Sequence, residues 1–583
     1  MLLLTGKQAK VNDDYTQSKI GIPGLVLMER AALCIAERIE NLIEEDKDRF
    51  FRRRVKVIAV AGMGNNGGDA VAAARILCRR EIDASLILVG NTEKATDSMK
   101  QQLKVAGNLC VETECSFVPD GDKNKLDAFR SAVEAADIII DGLFGVGLSR
   151  DLSKEYCDIV EIINSTNAYK IAVDIPSGID CDNGNIRGGA VKCDETVTFG
   201  FMKYGLVVND GRNYAGKVTV SEIGLEVSPE GYDDDDISFR AIPEKRLKLL
   251  LPSRNPNSNK GTYGKVLVVA GNEEIYGAAY LSAAAAYKTG SGLVKIFTSE
   301  VNKDNLMSML PEAMISCYKT GDELSDEEAE QLRSAIKWAD VIAVGPGLGT
   351  GKKSKEILKE VVSAGKQGKY LVIDADAINI CSAVFENSVT GLGLLREASE
   401  SYDGNVVITP HMAEMARLVR AAEIESRAAE EVMHRTVDGA KNDASSGDSV
   451  KAVNAMSMQD TVRAIAMDRG AAALDIAQNF RITVVLKDAR THIASYNNNR
   501  EVYVNLTGNS GMSKGGSGDV LTGILAAVLA GINRTGKVGA GYFTQTVAAG
   551  VMLHGEAGDI ARDAKGEYGM LATDIIDALG KVL

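Results

Sequence analysis

The clearest pattern along the chain is an apolar run that passes through a glycine- and asparagine-rich loop into an alanine-rich segment, VKVIAVAGMGNNGGDAVAAARIL at residues 55–77. Val55, Val57, Ile58 and Val60 predict a buried parallel strand. A helix beginning near Ala70 would present free N–H groups to an anion. The glycines between them allow a tight turn and a close approach to a ligand, and they are Gly62, Gly64, Gly67 and Gly68. The pattern favours a phosphate-binding loop over its alternative, a glycine-rich turn with Asx capping.

Strand-like runs and helical patterns alternate in both halves of the chain. In the first half they are a helix at 20–43, entered through Pro23, the strand described above, and strands at 84–90, 136–142 and 169–178. In the second half the strand-like runs lie at 264–271, 291–298, 339–349, 369–380, 405–418 and 482–495. This alternation predicts an α/β protein with parallel sheets, whose N-terminal domain, residues 1–228, is Rossmann-like with three layers.

A stretch of different composition separates the two halves. Residues 229–243, PEGYDDDDISFRAIP, combine proline, glycine and four consecutive aspartates, and this composition predicts a linker. The four aspartates could bind a metal, but adjacent carboxylates at a domain junction are usually solvated. The second domain then covers residues 244–583.

Composition narrows the class of protein. The formal net charge of -14 argues against a general nucleic-acid role. No window approaches a membrane span, the apolar N-terminal stretch is too short for a signal peptide, and the nine cysteines include no C-x-x-C pair. We therefore expect a soluble, cytoplasmic protein with reduced cysteines and no membrane or nucleic-acid partner.

Polar clusters follow three strands of the first half. They are Asn65, Asn66 and Asp69, then Asp141, then Asp174 with Ser177. Because ligands of parallel sheets bind beyond the carboxyl ends of the strands, we expect these clusters to share one site.

The motifs GNNGGD (64–69), DGLFGVG (141–147) and VDIPSGID (173–180) resemble the NAD(P)H-hydrate epimerase family over residues 1–228. The resemblance implies interconversion of the R and S forms of the hydrated cofactors NADHX and NADPHX. It implies a potassium ion held by Asn66, Asp141 and Ser177, although a water network would use the same side chains. The implied substrate contacts are Asn65, Asn66, Gly67, Gly68, Asp69, Gly145, Val146, Gly147, Leu148, Ser149, Arg150, Asp151 and Asp174.

Epimerisation of a carbon that carries a hydroxyl beside a ring nitrogen needs a positioned acid/base carboxylate, whether it proceeds by ring opening or by loss and return of water. Asp174, which the resemblance places at the reacting nicotinamide ring, is the candidate. Ala70 departs from the glycine common in the family, but alanine is tolerated in the first turn of a helix.

The last motif of the second half is GNSGMSKGGSGDVLTGILAAVLAGI at 508–532. Its glycines 511, 515, 516 and 518 make a flexible loop, and Asp519 stands at the start of an apolar helix. Loop amides and the helix dipole would form a hole for a transferring phosphoryl group, while Asp519 would take the proton of the attacking hydroxyl. A simple helix cap is the competing explanation.

GGSGD before this helix, together with VGPGLG, DADA, TPHMAEM and VVLK, resembles the ribokinase-like α/β/α fold and, within it, the NAD(P)H-hydrate dehydratases, over residues 244–583. The resemblance implies Mg²⁺ and ADP as co-substrate, giving AMP and phosphate, with Asp519 as catalytic base. Gly347, His411 and Asp519 would contact the hydrate. The implied nucleotide-binding residues are Lys487, Asp488, Ala489, Arg490, Thr491 and Gly518.

The fusion of both halves resembles the bifunctional NAD(P)H-hydrate repair enzymes and implies a homo-oligomer. A ribokinase-like small-molecule kinase fused to a nucleotide-binding domain is the main alternative, and a non-catalytic binding protein is another. His434, His492 and His554 show no mutual metal-ligand spacing, and Trp338 is assigned a structural role. The insertion 419–481 is predicted to be two helices joined by the loop DGAKNDASSGD.

Overall fold

The computed structural model of the chain describes residues 1–50, 54–229, 231–233, 235–251, 256–365, 368–385, 389–437, 457–535 and 540–583. It divides into two compact units, one of residues Leu2–Asp236 and one of Ile237–Leu583 together with Met1. Across these described ranges, no helix has both the length and the apolar character that crossing a membrane requires.

The N-terminal unit is built on a seven-stranded sheet in which every pair of neighbours is parallel. In spatial order its strands are Thr113–Phe117, Asp83–Val89, Lys56–Ala61, Ile138–Gly142, Tyr169–Val173, Glu195–Phe199 and Lys217–Ser221. Leu2–Leu4 and Met202–Lys203 form a further parallel pair. The α-helices are Gly6–Tyr15, Gly24–Glu45, Lys47–Phe50, Asn65–Arg79, Asp97–Asn108, Lys123–Glu134, Lys154–Ser165 and Gly211–Tyr214, with a π-helix at Thr16–Ile20 and 3-10 turns at Thr92–Lys94 and Tyr204–Leu206.

The sheet is covered on both faces because successive residues of its strands point to opposite sides. Val57 and Ala59 pack in one core cluster with the helices Gly24–Glu45 and Asn65–Arg79. Ile58 and Val60 belong to a second cluster that includes Phe129 and Ile159, on the helices Lys123–Glu134 and Lys154–Ser165. The predicted three-layer α/β arrangement is therefore confirmed.

The C-terminal unit has a mixed sheet. In spatial order its strands are Met314–Tyr318, Leu293–Ser299, Lys265–Val269, Val341–Val344, Tyr370–Ile373, Val406–Ile408, Thr483–Leu486, His492–Ser495, Glu501–Val504 and Ser238–Arg240. The first seven are parallel, the next two continue as an antiparallel meander, and Ser238–Arg240 runs parallel to Glu501–Val504. The mixed α/β sheet agrees with the predicted ribokinase-like fold class.

Helices of this unit pack on the sheet and on one another. The α-helices are Glu244–Leu250, Gly277–Thr289, Lys303–Met309, Asp326–Trp338, Lys352–Ser363, Asp376–Cys381, Gly393–Ser401, Met412–Val437, Met458–Met467, Arg469–Phe480, Ser517–Thr535, Ala540–Lys565 and Ala572–Val582, with 3-10 turns at Lys260–Tyr263, Glu300–Asn302 and Ser510–Met512. The apolar helix Ser517–Thr535 is central, because Leu521 and Leu525 lie in the core against the sheet while Val520 and Ile524 pack toward the C-terminal helices.

Several local predictions differ from the structure. The run 482–495 is a hairpin of two strands and not one strand, and the segment 229–243 contains the strand Ser238–Arg240. The helix after the first strand begins at Asn65, five residues before the predicted start. In the insertion 419–481 the described residues form the end of one long helix and two shorter helices, while the predicted loop 438–448 lies outside the described residues.

The cysteines and the single tryptophan fit structural roles. All nine cysteines are free, although Cys110 is exposed and therefore not a core residue. The ammonium groups of Lys295 and Lys265 lie 4.7 and 5.8 Å from the centre of the Trp338 ring, so the indole is a cation–π partner. His492 and His554 are buried, as expected for core histidines, whereas the side chain of His434 lies outside the described residues.

Candidate active sites

The predicted phosphate-binding loop closes tightly onto its neighbours. A Cβ atom at Gly62 would lie 2.0 Å from the carbonyl oxygen of Leu143, and one at Gly67 would lie 1.9 Å from the carbonyl oxygen of Gly62. Gly64 caps the helix Asn65–Arg79 and has open space around it. The glycines thus let the backbone pack closely and leave the amides of the first helical turn available for an anion.

Of Asn66, Asp141 and Ser177, which are predicted to hold a cation, Asn66 and Ser177 both contact the carbonyl group of Phe144, and Asp141 is joined to them through Ser177. The side-chain amide of Asn66 donates to this oxygen over 2.9 Å, and the Ser177 hydroxyl lies 3.2 Å from it. Ser177 also binds Asp141, through its hydroxyl to Oδ1 at 2.5 Å and through its backbone N–H to Oδ2 at 2.8 Å. The structure therefore brings this predicted trio together.

Asp141 is fully buried at the end of its strand. Burial raises the pKa of this carboxyl to about 6, although hydrogen bonds from Ser177 and Leu143 favour its charged form. Within the described ranges no lysine or arginine forms an ion pair with Asp141. A buried carboxylate of this kind gains stability from a bound cation.

Asp174 follows the strand Tyr169–Val173 with a left-handed φ of 63°, which is uncommon for a residue with a side chain. Its Oδ1 accepts three hydrogen bonds, from the ammonium of Lys203 at 2.5 Å, the hydroxyl of Thr198 at 2.9 Å and the N–H of Phe199 at 3.0 Å. In the described part of the chain no donor reaches Oδ2. One oxygen is thus fixed and the other is available for proton transfer.

Asp69 and Asp13 lie near enough to Asp174 for their charges to interact. Removal from water raises the pKa of Asp69 well above its ordinary value, and the charges of Asp174 and Asp13 raise it further. Burial is also the main cause that raises the pKa of Asp13, and the charges of Asp14 and Asp174 raise it as well. Sequence reasoning did not identify Asp13 or Lys203, because neither residue belongs to a motif. Lys203, in FMKYG, has no distinguishing pattern around it.

The remaining predicted substrate contacts lie in the first turn of the helix Asn65–Arg79 and on the partly exposed loop 145–151. Gly145 borders Asn66, since a Cβ atom at this glycine would lie 3.0 Å from the Asn66 side chain. Asn65 accepts a 2.9 Å hydrogen bond from the hydroxyl of Thr96. Gly68 lies in the first turn of the helix, against Met28. Val146 and Leu148 are half-buried, and the exposed members of the loop are Gly147, Ser149, Arg150 and Asp151.

In the C-terminal unit, Asp519 stands in the first turn of the helix Ser517–Thr535, directly after a bend at Gly516 with a φ of 92°. Its carboxyl accepts no hydrogen bond from any described residue. Burial raises the pKa of Asp519 to about 7, the nearby charges of Asp374 and Asp376 raise it as well, and Lys487 opposes them. A carboxyl with this pKa is suited to accept a proton near neutral pH.

Lys487 is a cation whose charge acts on this carboxyl. Its ammonium group donates a 2.6 Å hydrogen bond to Oδ1 of Asp374, whose side chain is 1% exposed. A Cβ atom at Gly518 would lie 3.4 Å from this ammonium, so the glycine leaves space beside it. The structure thus brings together three predicted residues, Lys487, Gly518 and Asp519, and adds Asp374, which sequence reasoning quoted in DADA without giving it a role.

His411 lies at the end of the neighbouring strand, where its backbone bridges to Lys487. Its Nδ1 accepts from the N–H groups of Ala413 and Glu414, at 3.1 and 3.3 Å, so the proton of the neutral ring is on Nε2. Burial and the charges of Lys487 and Arg417 lower the pKa of His411, which favours the neutral ring.

Gly347 lies in the loop after the strand Val341–Val344 and has a left-handed φ of 60°. A Cβ atom there would lie 2.9 Å from Ile275. Gly349 in the same loop donates its N–H to Asp376 over 2.8 Å. Since Asp376 is one of the charges acting on Asp519, the VGPGLG loop reaches the surroundings of Asp519.

The rest of the KDART segment is held mainly by neighbouring elements. The Asp488 carboxylate is paired with Arg469 at 2.5 Å, and Arg490 donates to the carbonyl oxygen of Leu506. The carbonyl oxygen of Thr491 accepts from the N–H of Asn505. Ala489 is exposed. Of the predicted nucleotide-binding residues, Lys487 and Gly518 are therefore the ones that lie beside Asp519.

Comparison with known proteins gives two family matches. Residues 24–205 match the family described as YjeF-related protein N-terminus. Residues 266–442 and 451–581 match the family described as NAD(P)H-hydrate dehydratase. The chain therefore combines the two modules that its motifs predict.

Whole proteins with the same combination are also similar. A bifunctional NAD(P)H-hydrate repair enzyme of Moorella thermoacetica is 31% identical over 100% of this chain and 97% of that protein. One of Thermofilum pendens is 30% identical over 99% of this chain and 95% of that protein. A solved ribokinase-like superfamily protein of Enterococcus faecalis is 26% identical, covers 60% of this chain and 95% of that chain, and has a TM-score of 0.43. The chain belongs to the family of bifunctional NAD(P)H-hydrate repair enzymes.

Proposed function

We propose that this chain repairs hydrated reduced nicotinamide cofactors in two steps. The N-terminal unit interconverts the R and S forms of NADHX and NADPHX, and the C-terminal unit dehydrates the S form with ADP, giving NAD(P)H, AMP and phosphate. The observation that carries the proposal is the carboxyl of Asp519, on which the charge of Lys487 acts beside a glycine-rich bend, in a chain whose family includes such enzymes.

In the dehydratase, the C6 hydroxyl of the hydrate attacks the terminal phosphorus of the nucleotide while Asp519 accepts its proton. The ammonium of Lys487 and the amides near Gly518 offset the charge that develops on the transferring phosphoryl group. Phosphate then leaves C6, driven by the electron pair of the ring nitrogen, and loss of a proton from C5 restores the dihydronicotinamide. Hydroxide alone would leave poorly, and the phosphoryl transfer overcomes this difficulty.

Magnesium suits the acidic surroundings of Asp519, where the charges of Asp374 and Asp376 are already close. Among the described residues, however, no group of three or more His, Cys, Asp or Glu side chains could hold a metal ion. Mg²⁺ commonly binds through one or two carboxylates together with substrate oxygens, and the ion would supply positive charge against the charge of the transferring phosphoryl group.

In the epimerase, Oδ2 of Asp174 is the candidate acid/base atom, because its Oδ1 is held by Lys203, Thr198 and Phe199. Hard oxygen donors suit a potassium ion, and Asp141, Ser177 and the carbonyl of Phe144 supply such oxygens around a buried carboxylate. Asn66 borders the same carbonyl. The ion would neutralise Asp141 and fix the predicted substrate loop 145–151, which follows Phe144.

A ribokinase-like kinase for another small molecule would use the same base and cation. The dehydratase and the kinase predict different results when purified protein is given S-NADHX and either ADP or ATP. The formation of NADH is followed by absorbance at 340 nm. We expect recovery of the absorbance with ADP. No recovery with either nucleotide would overturn the dehydratase assignment and favour the kinase.

The division of labour is tested by two substitutions and a control. Asp519→Asn should abolish nucleotide-dependent dehydration and leave R/S exchange unchanged, and Asp174→Asn should do the reverse. Asp563→Asn is the matched control, since its carboxylate is 71% exposed and pairs with Arg562 at the surface. Full dehydration by the Asp519 variant would show that another group is the base.

We also propose that the enzyme is a cytoplasmic homo-oligomer. The nine free cysteines suit a reducing compartment, and the family resemblance suggests self-association. Cell fractionation and size-exclusion chromatography with light scattering test these two points.

A further inference from the structure

Asp374 joins three parts of the dehydratase unit. It follows the strand Tyr370–Ile373, is 1% exposed, and accepts hydrogen bonds from side chains on three other elements. Lys487 and Thr409 each donate to Oδ1 over 2.6 Å, and Thr522 donates to Oδ2 over 2.7 Å. Both carboxylate oxygens are therefore satisfied by groups that lie far apart in the sequence.

The backbone at this aspartate is held in an unusual shape. Ala375 has φ 49° and ψ −118°, a combination that residues with a side chain rarely adopt. A Cβ atom at Gly345 would lie 1.9 Å from the carbonyl oxygen of Asp374, so the neighbouring loop fits only because this residue is a glycine. Such strain persists where the surrounding structure fixes a side chain in one place.

The bond to Thr522 connects Asp374 with the base. Thr522 lies three residues after Asp519 on the helix Ser517–Thr535, and residues at this spacing lie on the same face of a helix. The bond to Lys487 connects the same carboxylate with the ammonium beside Gly518. One buried side chain thus contacts both the lysine and the helix that carries the base.

The charges at and around Asp374 also act on Asp519, the proposed base. Burial alone would raise the pKa of Asp374, but the charge of Lys487 and the hydrogen bonds from Lys487, Thr409 and Thr522 keep it below its ordinary value. The ionised Asp374 in turn raises the pKa of Asp519. Asp376 also raises the pKa of Asp519, and the charge of Lys487 lowers it. The charges of Lys487 and Asp374 act on His411 and Glu414 as well.

We propose that Asp374 is the positioning residue of the dehydratase reaction, which holds Lys487 at the phosphoryl group and, through Thr522, fixes the helix that presents Asp519. Its side chain is 1% exposed, and both of its carboxylate oxygens are bound by other residues of the chain. The proposal rests on the proposed function, because it assigns a role within the phosphoryl-transfer site.

The test compares Asp374→Asn with Thr522→Val in the full-length chain. Asp374→Asn removes the charge that holds Lys487, so the Kd of ADP should rise about tenfold. The acidic limb of the kcat profile should move to lower pH by about one unit, because a negative charge near Asp519 is lost. A purely structural role would reduce the folded fraction without moving this limb.

Thr522→Val removes the bond to the helix and keeps every charge. It should lower kcat about tenfold while the Kd of ADP and the position of the pH limb stay as in the parent. Thr409→Val is the matched control, since it removes one hydrogen bond to the same carboxylate without a link to the helix of Asp519. R/S exchange by the N-terminal unit of the same chain reports the amount of intact enzyme.

A double-mutant cycle with Lys487→Met completes the test. If Asp374 acts through Lys487, the double variant binds ADP no more weakly than Lys487→Met alone. An Asp374→Asn chain with the parental Kd and pH limb, or additive losses in the cycle, would overturn the proposal. ADP binding is measured by calorimetry without the hydrate, so a wrong substrate assignment would leave the binding result intact and is distinguished from failure of this proposal.

Discussion

Ser177 occupies both oxygens of the buried Asp141 carboxylate, donating its hydroxyl to Oδ1 over 2.5 Å and its backbone N–H to Oδ2 over 2.8 Å. The same hydroxyl accepts a 2.9 Å hydrogen bond from the N–H of Phe144, the residue just before the predicted substrate loop 145–151. Ser177 therefore connects the buried charge with the loop, and this connection explains why a cation here would order the site.

Ser177→Ala removes the hydroxyl that binds both the Asp141 carboxylate and the N–H of Phe144. The pKa of Asp141, already about 6, should rise because one stabilising hydrogen bond is lost, and the variant should be about 1–2 kcal/mol less stable. R/S exchange should fall at least about tenfold and need more KCl for half-saturation. Assays across a KCl series measure this effect.

Ser18→Ala is a suitable comparison, because this exposed hydroxyl bonds the carbonyl oxygen of Asp14 one helical turn earlier. It should behave like the parent. An unchanged KCl dependence in Ser177→Ala would argue that no potassium ion binds beside Asp141.

Gly67 and Gly64 of the predicted phosphate-binding loop form a matched pair for testing close packing. An added Cβ at Gly67 meets the Gly62 carbonyl at 1.9 Å, whereas at Gly64 it meets nothing within 4 Å. Gly67→Ala should therefore destabilise the N-terminal unit by at least about 2 kcal/mol, and Gly64→Ala by no more than about 1 kcal/mol. Urea unfolding followed by circular dichroism compares them, and equal stabilities would contradict the close approach of the backbone at Gly62 and Gly67.

The sequence predicted the α/β class, both glycine-rich loops and most of the strand positions, because these features depend on local hydrophobic periodicity and turn chemistry. It did not reveal Lys203 or Asp374 as functional partners. Lys203 reaches Asp174 across 29 residues and Lys487 reaches Asp374 across 113, and no local pattern records such pairings. The hairpin at 483–495 was predicted as one run because its strands are joined by KDART, which lacks a strong turn signal.

Asp519 should give the dehydration reaction a distinctive pH profile. A base with a pKa of about 7 is active when ionised, so kcat should rise about tenfold per unit below pH 7 and level off above it. Single-turnover measurements between pH 5 and 9 test this. If kcat instead levels off already at pH 5.5 or lower, a group other than Asp519 accepts the proton.

The same carboxyl predicts an opposite trend in stability. Its pKa is higher in the folded chain than the ordinary value of 3.8, so the native state binds the extra proton between about pH 4 and 7 and loses this stabilisation as the pH rises through that window. Asp519→Asn should therefore raise Tm over the parent more at pH 8 than at pH 4. Asp563→Asn should show no such difference.

His554 should make the C-terminal unit less stable as the pH falls, which is the opposite of the effect of Asp519. Burial lowers the pKa of this histidine to about 4, and its Nε2 lies 3.3 Å from the hydroxyl of Ser517, next to the phosphoryl-transfer loop. The unfolded chain takes up the proton near pH 6.5 and the folded chain near 4, so stability is complete above 6.5 and is lost as the pH falls toward 4. Between pH 7 and 4.5, the parent should lose about 2–3 kcal/mol relative to His554→Gln. His411→Gln, with a half-exposed ring, should show a much smaller difference, and equal pH dependence in all three chains, measured by urea unfolding, would refute a buried neutral His554.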